Sequence, residues 1–181
     1  MAHSFREQSR RMALCALMTA LSAAILLLGG VVPLATFACP VLAMLCLIAP
    51  LHEYGVRTAC LTYGASALLA LLLVADKEMA FFYVFFGYYP AIRPLLNRIP
   101  FRRLRFAVKC ALFFVSVVTM YWLLLRLFRL DAVVQEFAGY SPAMLILLVL
   151  LGAVTFLLFD RALDVLTLVY RQSLRRYLFR R

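Results

Sequence analysis

The chain has 181 residues, of which 66% are hydrophobic and 15% are charged, whereas ordinary soluble domains are about 45–50% apolar. A mean hydropathy of +0.97 excludes a soluble monomer, because a 20.5 kDa globule must cover a large surface with side chains that tolerate water. The net charge of +11 would suggest nucleic-acid binding in a soluble protein. In a membrane protein, an excess of Lys and Arg instead marks the cytoplasmic loops.

Uncharged stretches of the sequence predict six membrane-spanning helices. Residues 12–51 carry no charged side chain, and 40 helical residues would be about 60 Å long, roughly twice the hydrocarbon thickness of a bilayer. Gly29, Gly30 and Pro33 divide this run into two spans. Pro40 predicts a kink or local break within the second span. The predicted spans cover residues 12–29, 34–51, 58–75, 79–92, 106–125 and 142–159.

Polar residues separate the later spans. Asp76, Lys77 and Glu78 form the turn between the third and fourth spans, which could alternatively pair as a re-entrant hairpin. Lys109 lies near the start of the fifth span, where we expect its side chain to snorkel to the membrane surface. Pro142 begins the sixth span. The continuous apolar runs lack the alternation of a transmembrane barrel, so the fold class is an all-α membrane domain.

The cations indicate the orientation of these spans. With six spans both termini lie on one side, and that side and its loops hold sixteen of the nineteen Lys and Arg residues, counting Lys109. The other loops hold only Lys77, Arg126 and Arg129. The positive-inside rule therefore predicts a cytoplasmic basic tail at 1–11, a membrane domain at 12–170 and a second basic tail at 171–181. This distribution explains the charge without nucleic acid, and we expect none as a partner.

The sequence contains no recognisable catalytic or metal-binding motif. Its five cysteines lie in apolar stretches without a Cys-x-x-Cys pair, and we interpret them as packing residues. Two scattered histidines are too few for a metal site, and no phosphate-binding glycine loop precedes a Lys-Ser or Lys-Thr pair. We therefore expect no enzymatic activity, no metal and no cofactor in this chain. An intramembrane enzyme would need a polar pair within the spans, and the sequence shows no convincing one.

A stripe of small residues marks the first predicted helix. Ala16, Ala20 and Ala24 recur every four residues, which places them on one side of a helix. Without bulky side chains there, a second helix can approach closely. The stripe predicts either ordinary packing inside the bundle or a docking surface for a membrane partner.

Aromatic and charged residues collect at the predicted outer face. They are Glu78, Tyr83, Tyr121, Trp122 and Arg126. Tyr and Trp at this depth are typical of an interfacial belt. Alternatively, the aromatic rings could form the walls of a small-molecule pocket in which Glu78 and Arg126 fix polar groups of the ligand.

Glycine and prolines interrupt the inner end of the fourth predicted span. The segment Gly87-Tyr88-Tyr89-Pro90 is followed by Arg93 and Pro94. Glycine permits close approach and proline ends regular helix. The segment predicts either a structural kink or a hinge beside a cytoplasmic partner.

The sequence resembles the S component of energy-coupling factor (ECF) transporters. The resemblance lies in the chain length, the six spans, the inward termini and the segment Ala16-Leu17-Met18-Thr19-Ala20-Leu21-Ser22-Ala23-Ala24. The resemblance implies docking of the alanine stripe on a membrane coupling subunit that sits on two cytosolic ATPase subunits, which use ATP. It also implies uptake of a vitamin or related solute bound near the outer face of a bacterial or archaeal plasma membrane. No signature for riboflavin, thiamine, biotin or folate is present. The alternative is a structural or regulatory polytopic membrane protein without transport activity.

Overall fold

The computed structural model describes residues 2–30, 38–128, 142–170 and 172. These residues form α-helices and no β-strand. The helices are α1 Ala2–Gly29, α2 Ala38–Leu45, α3 Ile48–Tyr54, α4 Val56–Leu73, α5 Lys77–Phe86, α6 Tyr89–Leu96, α7 Arg102–Phe128 and α8 Pro142–Val169. The predicted turn at Pro33, most of the connection before Pro142 and nearly all of the C-terminal tail lie outside the described residues.

The chain divides into two compact units, Met1–Pro100 and Phe101–Arg181. The first contains α1 to α6, and the second contains α7 and α8.

Helix α4 is the centre of the first unit, where it contacts α1, α3, α5 and α6. Its packed side chains are small or hydroxyl-bearing, namely Thr58, Ala59, Thr62, Ser66, Ala67 and Ala70. Small residues let helix backbones approach closely, and this is how helices pack where lipid supplies no hydrophobic driving force. On α1 the corresponding buried residues are Ser22, Ala23 and Leu26.

Two of the predicted spans are interrupted helices. The second predicted span corresponds to α2 and α3, which are separated at Cys46 and Leu47. The prediction of a kink at Pro40 is wrong, because this residue lies in the first turn of α2, where proline removes no intrahelical hydrogen bond. The fourth predicted span is divided into α5 and α6, and each is far too short to cross a bilayer alone.

Gly55 joins α3 to α4 with a φ of 84°. Its ψ is −179°, and this combination of angles is essentially restricted to glycine, which has no Cβ atom to clash. The turn predicted at this polar segment thus depends on its glycine.

The second unit is an antiparallel helix pair. The Phe113 and Phe156 rings lie 4.9 Å apart between centroids, and Lys109 contacts Asp160. Because the residue numbers run in opposite directions along α7 and α8, the two helices are antiparallel.

Three helices are long and apolar enough to cross a membrane: Phe5–Gly29, Val56–Leu73 and Arg102–Leu123. Ala38–Tyr54, which spans α2 and α3, is apolar but shorter. The all-α architecture and these three helices indicate a helical membrane protein. Helix α1 begins at Ala2, so most of the predicted N-terminal tail is helical.

Candidate functional site

The alanine stripe of α1 lies on the exposed side of the helix. Ala16, Ala20 and Ala24 are all exposed, whereas Ser22 and Leu26 face the interior of the first unit. The stripe is therefore beside the packed surface of α1 and is not part of it. This placement disfavours the interpretation that these alanines serve packing within the first unit.

An open groove of about 580 Å³ runs between α1 and α4 along this stripe. Its walls carry mainly small or apolar side chains from the two helices: Met12, Cys15, Ala16, Thr19 and Ala20 on α1, and Thr58, Leu61, Thr62, Ala65 and Leu69 on α4. The predicted residue Ala24 does not line the groove. Gln8 and Arg11 lie at one end and give that end a polar, basic character.

The two threonine hydroxyl groups that α4 contributes to the groove already donate hydrogen bonds to backbone carbonyls. Thr58 Oγ1 donates to the carbonyl of Tyr54 at 3.2 Å, and Thr62 Oγ1 donates to the carbonyl of Thr58 at 3.0 Å. Both threonines are almost completely buried. Because these two hydroxyl groups are bonded to the backbone, the buried side of the groove offers a partner mainly apolar contacts.

The predicted outer-face residues are divided between the two units. Glu78 and Tyr83 lie on α5, whereas Tyr121, Trp122 and Arg126 lie on α7. A site built from all five stays a prediction.

Tyr83 is fully buried, and its hydroxyl lies 2.8 Å from Ser66 Oγ. Ser66 Oγ donates to the carbonyl of Tyr63 at 2.9 Å, so the Tyr83 hydroxyl donates to Ser66. The described contacts of Tyr83 are thus those of a packed residue. Glu78 is half-buried in the first turn of α5.

On α7, the structure brings Trp122 and Arg126 together. The guanidinium carbon of Arg126 lies 5.2 Å from the centroid of the Trp122 ring, within the range of a cation–π interaction. Trp122 is 57% exposed. This exposure is compatible with both sequence interpretations, an interfacial belt and one wall of a pocket.

The acidic and basic residues next to Glu78 cap helices. Asp76 Oδ1 accepts hydrogen bonds from the backbone N–H groups of Glu78 at 3.0 Å and Met79 at 3.3 Å, which begins α5. Lys77 Nζ donates to the carbonyls of Leu71 at 3.2 Å and Val74 at 2.9 Å, at the end of α4. The sequence showed this turn but not the task of each side chain.

Gly87 is held against an aromatic cluster at the break between α5 and α6. A Cβ atom there would lie 2.5 Å from the Tyr83 carbonyl oxygen and 2.9 Å from Tyr63 Cε2. The Tyr63 hydroxyl donates to the carbonyl of Val84, and its ring meets Tyr88 edge-on. These contacts favour the structural kink among the two interpretations of this segment.

Sequence reasoning missed a buried ion pair in the second unit. Lys109 Nζ lies 2.7 Å from Asp160 Oδ2, and the two residues are only 6% and 9% exposed. The expectation that Lys109 snorkels to the membrane surface is wrong, since its ammonium group turns toward α8. The available signal was that Lys109 lies within the fifth predicted span and Asp160 directly follows the sixth, since ionisable residues in such segments usually pair with one another.

The cysteines in the structure are free thiols, each half-buried. Among the described residues, no group of three or more His, Cys, Asp or Glu side chains is arranged to hold a metal ion.

Comparison with protein-family models, curated proteins and solved structures found no match.

Proposed function

We propose that the chain is the substrate-binding membrane subunit of an ECF-type importer. It docks on a membrane coupling subunit through the groove between α1 and α4, and two cytosolic ATPase subunits hydrolyse ATP for it. In this proposal the broken helix pairs α2–α3 and α5–α6 complete a six-span topology with both termini in the cytoplasm. The groove carries the proposal, because it coincides with the stripe that the family resemblance assigns to docking.

The shape of the groove supports a helical partner. Its walls follow positions three or four residues apart on both α1 and α4, so the groove runs along several helical turns. An elongated, apolar and open surface suits the side of another helix, since small residues permit close backbone contact. A compact polar solute would find few hydrogen-bond partners along it.

The solute in this proposal is a vitamin or a related small molecule bound near the outer face. On α7, Arg126 would fix a polar group of the solute, while Tyr121 and Trp122 would supply aromatic surface. Glu78 on α5 is a candidate from its position in the sequence alone, and Tyr83 is buried, so its ring is not available to a solute. This part depends on the positions of the residues in the sequence and on the Trp122–Arg126 contact.

Substituting Ala20 by Trp tests docking. The indole would fill the groove, so co-purification with the coupling subunit and ATPases encoded in the same genome should fall at least about tenfold, a loss of roughly 1.4 kcal/mol. Leu21→Trp is the matched control, because Leu21 is the next residue of α1, is exposed and lies outside the groove. Equal co-purification of the two variants would contradict docking at the groove.

Thermal-shift measurements against vitamins and their precursors test the solute site. We expect one solute class to raise the melting temperature of the purified protein, and Arg126→Gln to abolish the shift. Arg57→Gln is the control, since this exposed arginine lies outside the proposed site. If no compound of a broad panel changes the melting temperature, the result favours the structural or regulatory alternative. In that alternative, the exposed Trp122 and Arg126 anchor the chain at the membrane surface.

A further inference from the structure

The start of α7 carries a cluster of arginines. Arg102, Arg103 and Arg105 lie in its first four residues. Arg102 and Arg103 are exposed, whereas Arg105 is half-buried. The first turn contains no acidic residue, and the sequence has none between Glu78 and Asp131.

Large apolar side chains alternate with these arginines. Phe101 is 71% exposed, Leu104 is 52% exposed and Phe106 is 53% exposed. Arginines beside exposed aromatic and aliphatic side chains are typical of the boundary between lipid headgroups and acyl chains. The segment is also the first part of the candidate span Arg102–Leu123, which places it where that helix would enter a membrane.

The charge of this segment is unfavourable for an isolated helix. Peptide dipoles make a helix N-terminus partly positive, so acidic residues stabilise the first turn and cations destabilise it. Here the first turn is cationic. An anion beside the exposed Arg102 and Arg103 would remove this repulsion, and guanidinium groups bind phosphate oxygens in a bidentate manner.

We propose that Phe101, Arg102, Arg103, Leu104 and Phe106 form a binding surface for the headgroup of an anionic phospholipid. The arginines hold the phosphate, and the apolar side chains contact the upper part of the acyl chains. A soluble anion would satisfy only the arginines and would leave the three apolar side chains without a ligand. In the orientation proposed above, this lipid belongs to the cytoplasmic leaflet, whose surface is negatively charged.

Native mass spectrometry of the delipidated protein in detergent tests this surface. The probes are dioleoyl-phosphatidylglycerol, dioleoyl-phosphatidylcholine and inorganic phosphate. We expect the wild type to retain phosphatidylglycerol in preference to phosphatidylcholine. The variant R102Q/R103Q should bind phosphatidylglycerol about tenfold more weakly or worse, since each cation near an anionic lipid contributes appreciably. Millimolar phosphate should not displace the lipid.

The variant R6Q/R10Q is the matched control, because it removes the same charge from two exposed arginines near the start of α1. It should retain phosphatidylglycerol like the wild type. Equal retention by both variants, equal loss in both, or displacement of the lipid by phosphate would each overturn the proposal. Because Arg102 and Arg103 are exposed, we expect R102Q/R103Q to melt like the wild type, so weaker lipid retention with an unchanged melting temperature is not a folding defect.

Discussion

The two units of this chain hold their helices together with different chemistry. In the first unit, two buried hydrogen bonds between helices join neutral groups: Ser22 Oγ donates to the Ala43 carbonyl at 3.2 Å, and Tyr83 bonds to Ser66. In the second unit, α7 and α8 are joined by a buried pair of full charges, Lys109 and Asp160. Removing one partner of a neutral contact leaves no buried charge behind, whereas removing one partner of the ion pair takes the described counter-charge from the other.

The environment makes this difference important. A single interhelical hydrogen bond in a membrane contributes about 0.6 kcal/mol on average. An unpaired charge in the same surroundings costs several times more, because neither lipid nor packed side chains solvate it. Removing one partner should thus affect the two units very unequally.

The largest effect is expected from breaking the ion pair on one side only. Lys109→Met or Asp160→Leu should each destabilise the α7–α8 pair by about 3–5 kcal/mol, because each removes the oppositely charged partner of a buried charge. Fluorescence of Trp122 during SDS unfolding is a suitable measurement, since this is the chain's single tryptophan and it lies in the second unit.

The double variant K109M/D160L is the control for this experiment. With both charges gone, stability should return to within about 1.5 kcal/mol of the wild type, as replacing a buried pair by apolar residues is often neutral. Mass-spectrometric thiol labelling separates the units: the single variants should expose Cys110 on α7 and leave Cys46 near its wild-type rate. Additive losses in the double variant would show that the two charges do not stabilise one another.

The smallest effect is expected from Tyr83→Phe in the first unit. The Ser66 hydroxyl keeps its bond to the Tyr63 carbonyl after the substitution, so no buried donor is left unsatisfied. We expect a loss of at most about 1 kcal/mol, visible as a fall of a few degrees in melting temperature. A loss as large as that of Asp160→Leu would remove the distinction between the units.

Continuous apolar runs were enough to predict the long helices. Helices α1, α7 and α8 cover predicted spans, and α4 covers all but the last two residues of another, because a run of uncharged residues in a chain this hydrophobic has few alternatives to helix. The interruptions were harder to predict. Pro40 occurs in a first turn, where it is harmless, while the break at Cys46 and Leu47 has neither glycine nor proline to mark it.

Contacts between distant residues explain the remaining errors. Lys109 and Asp160 are 51 positions apart in the sequence, so their contact is not visible in it. Because a lysine side chain has a long apolar stem and a charged end, the sequence favoured snorkelling to the membrane surface. The alanine stripe was visible in the sequence, but the α4 side of the groove was not. Nothing in the sequence indicates that Thr58, Thr62 and Ala65 lie beside α1 in the fold.

The occupant of the α1–α4 groove is the most direct test of the proposed function. A photo-crosslinking amino acid placed at Leu61 would report on the groove, and one placed at Leu21 would report on an exposed surface outside it. In cells that express the coupling subunit and ATPases of the same genome, we predict a crosslink from position 61 to the coupling subunit and none from position 21. No crosslink from position 61, or equal crosslinking from both positions, would contradict docking at this groove.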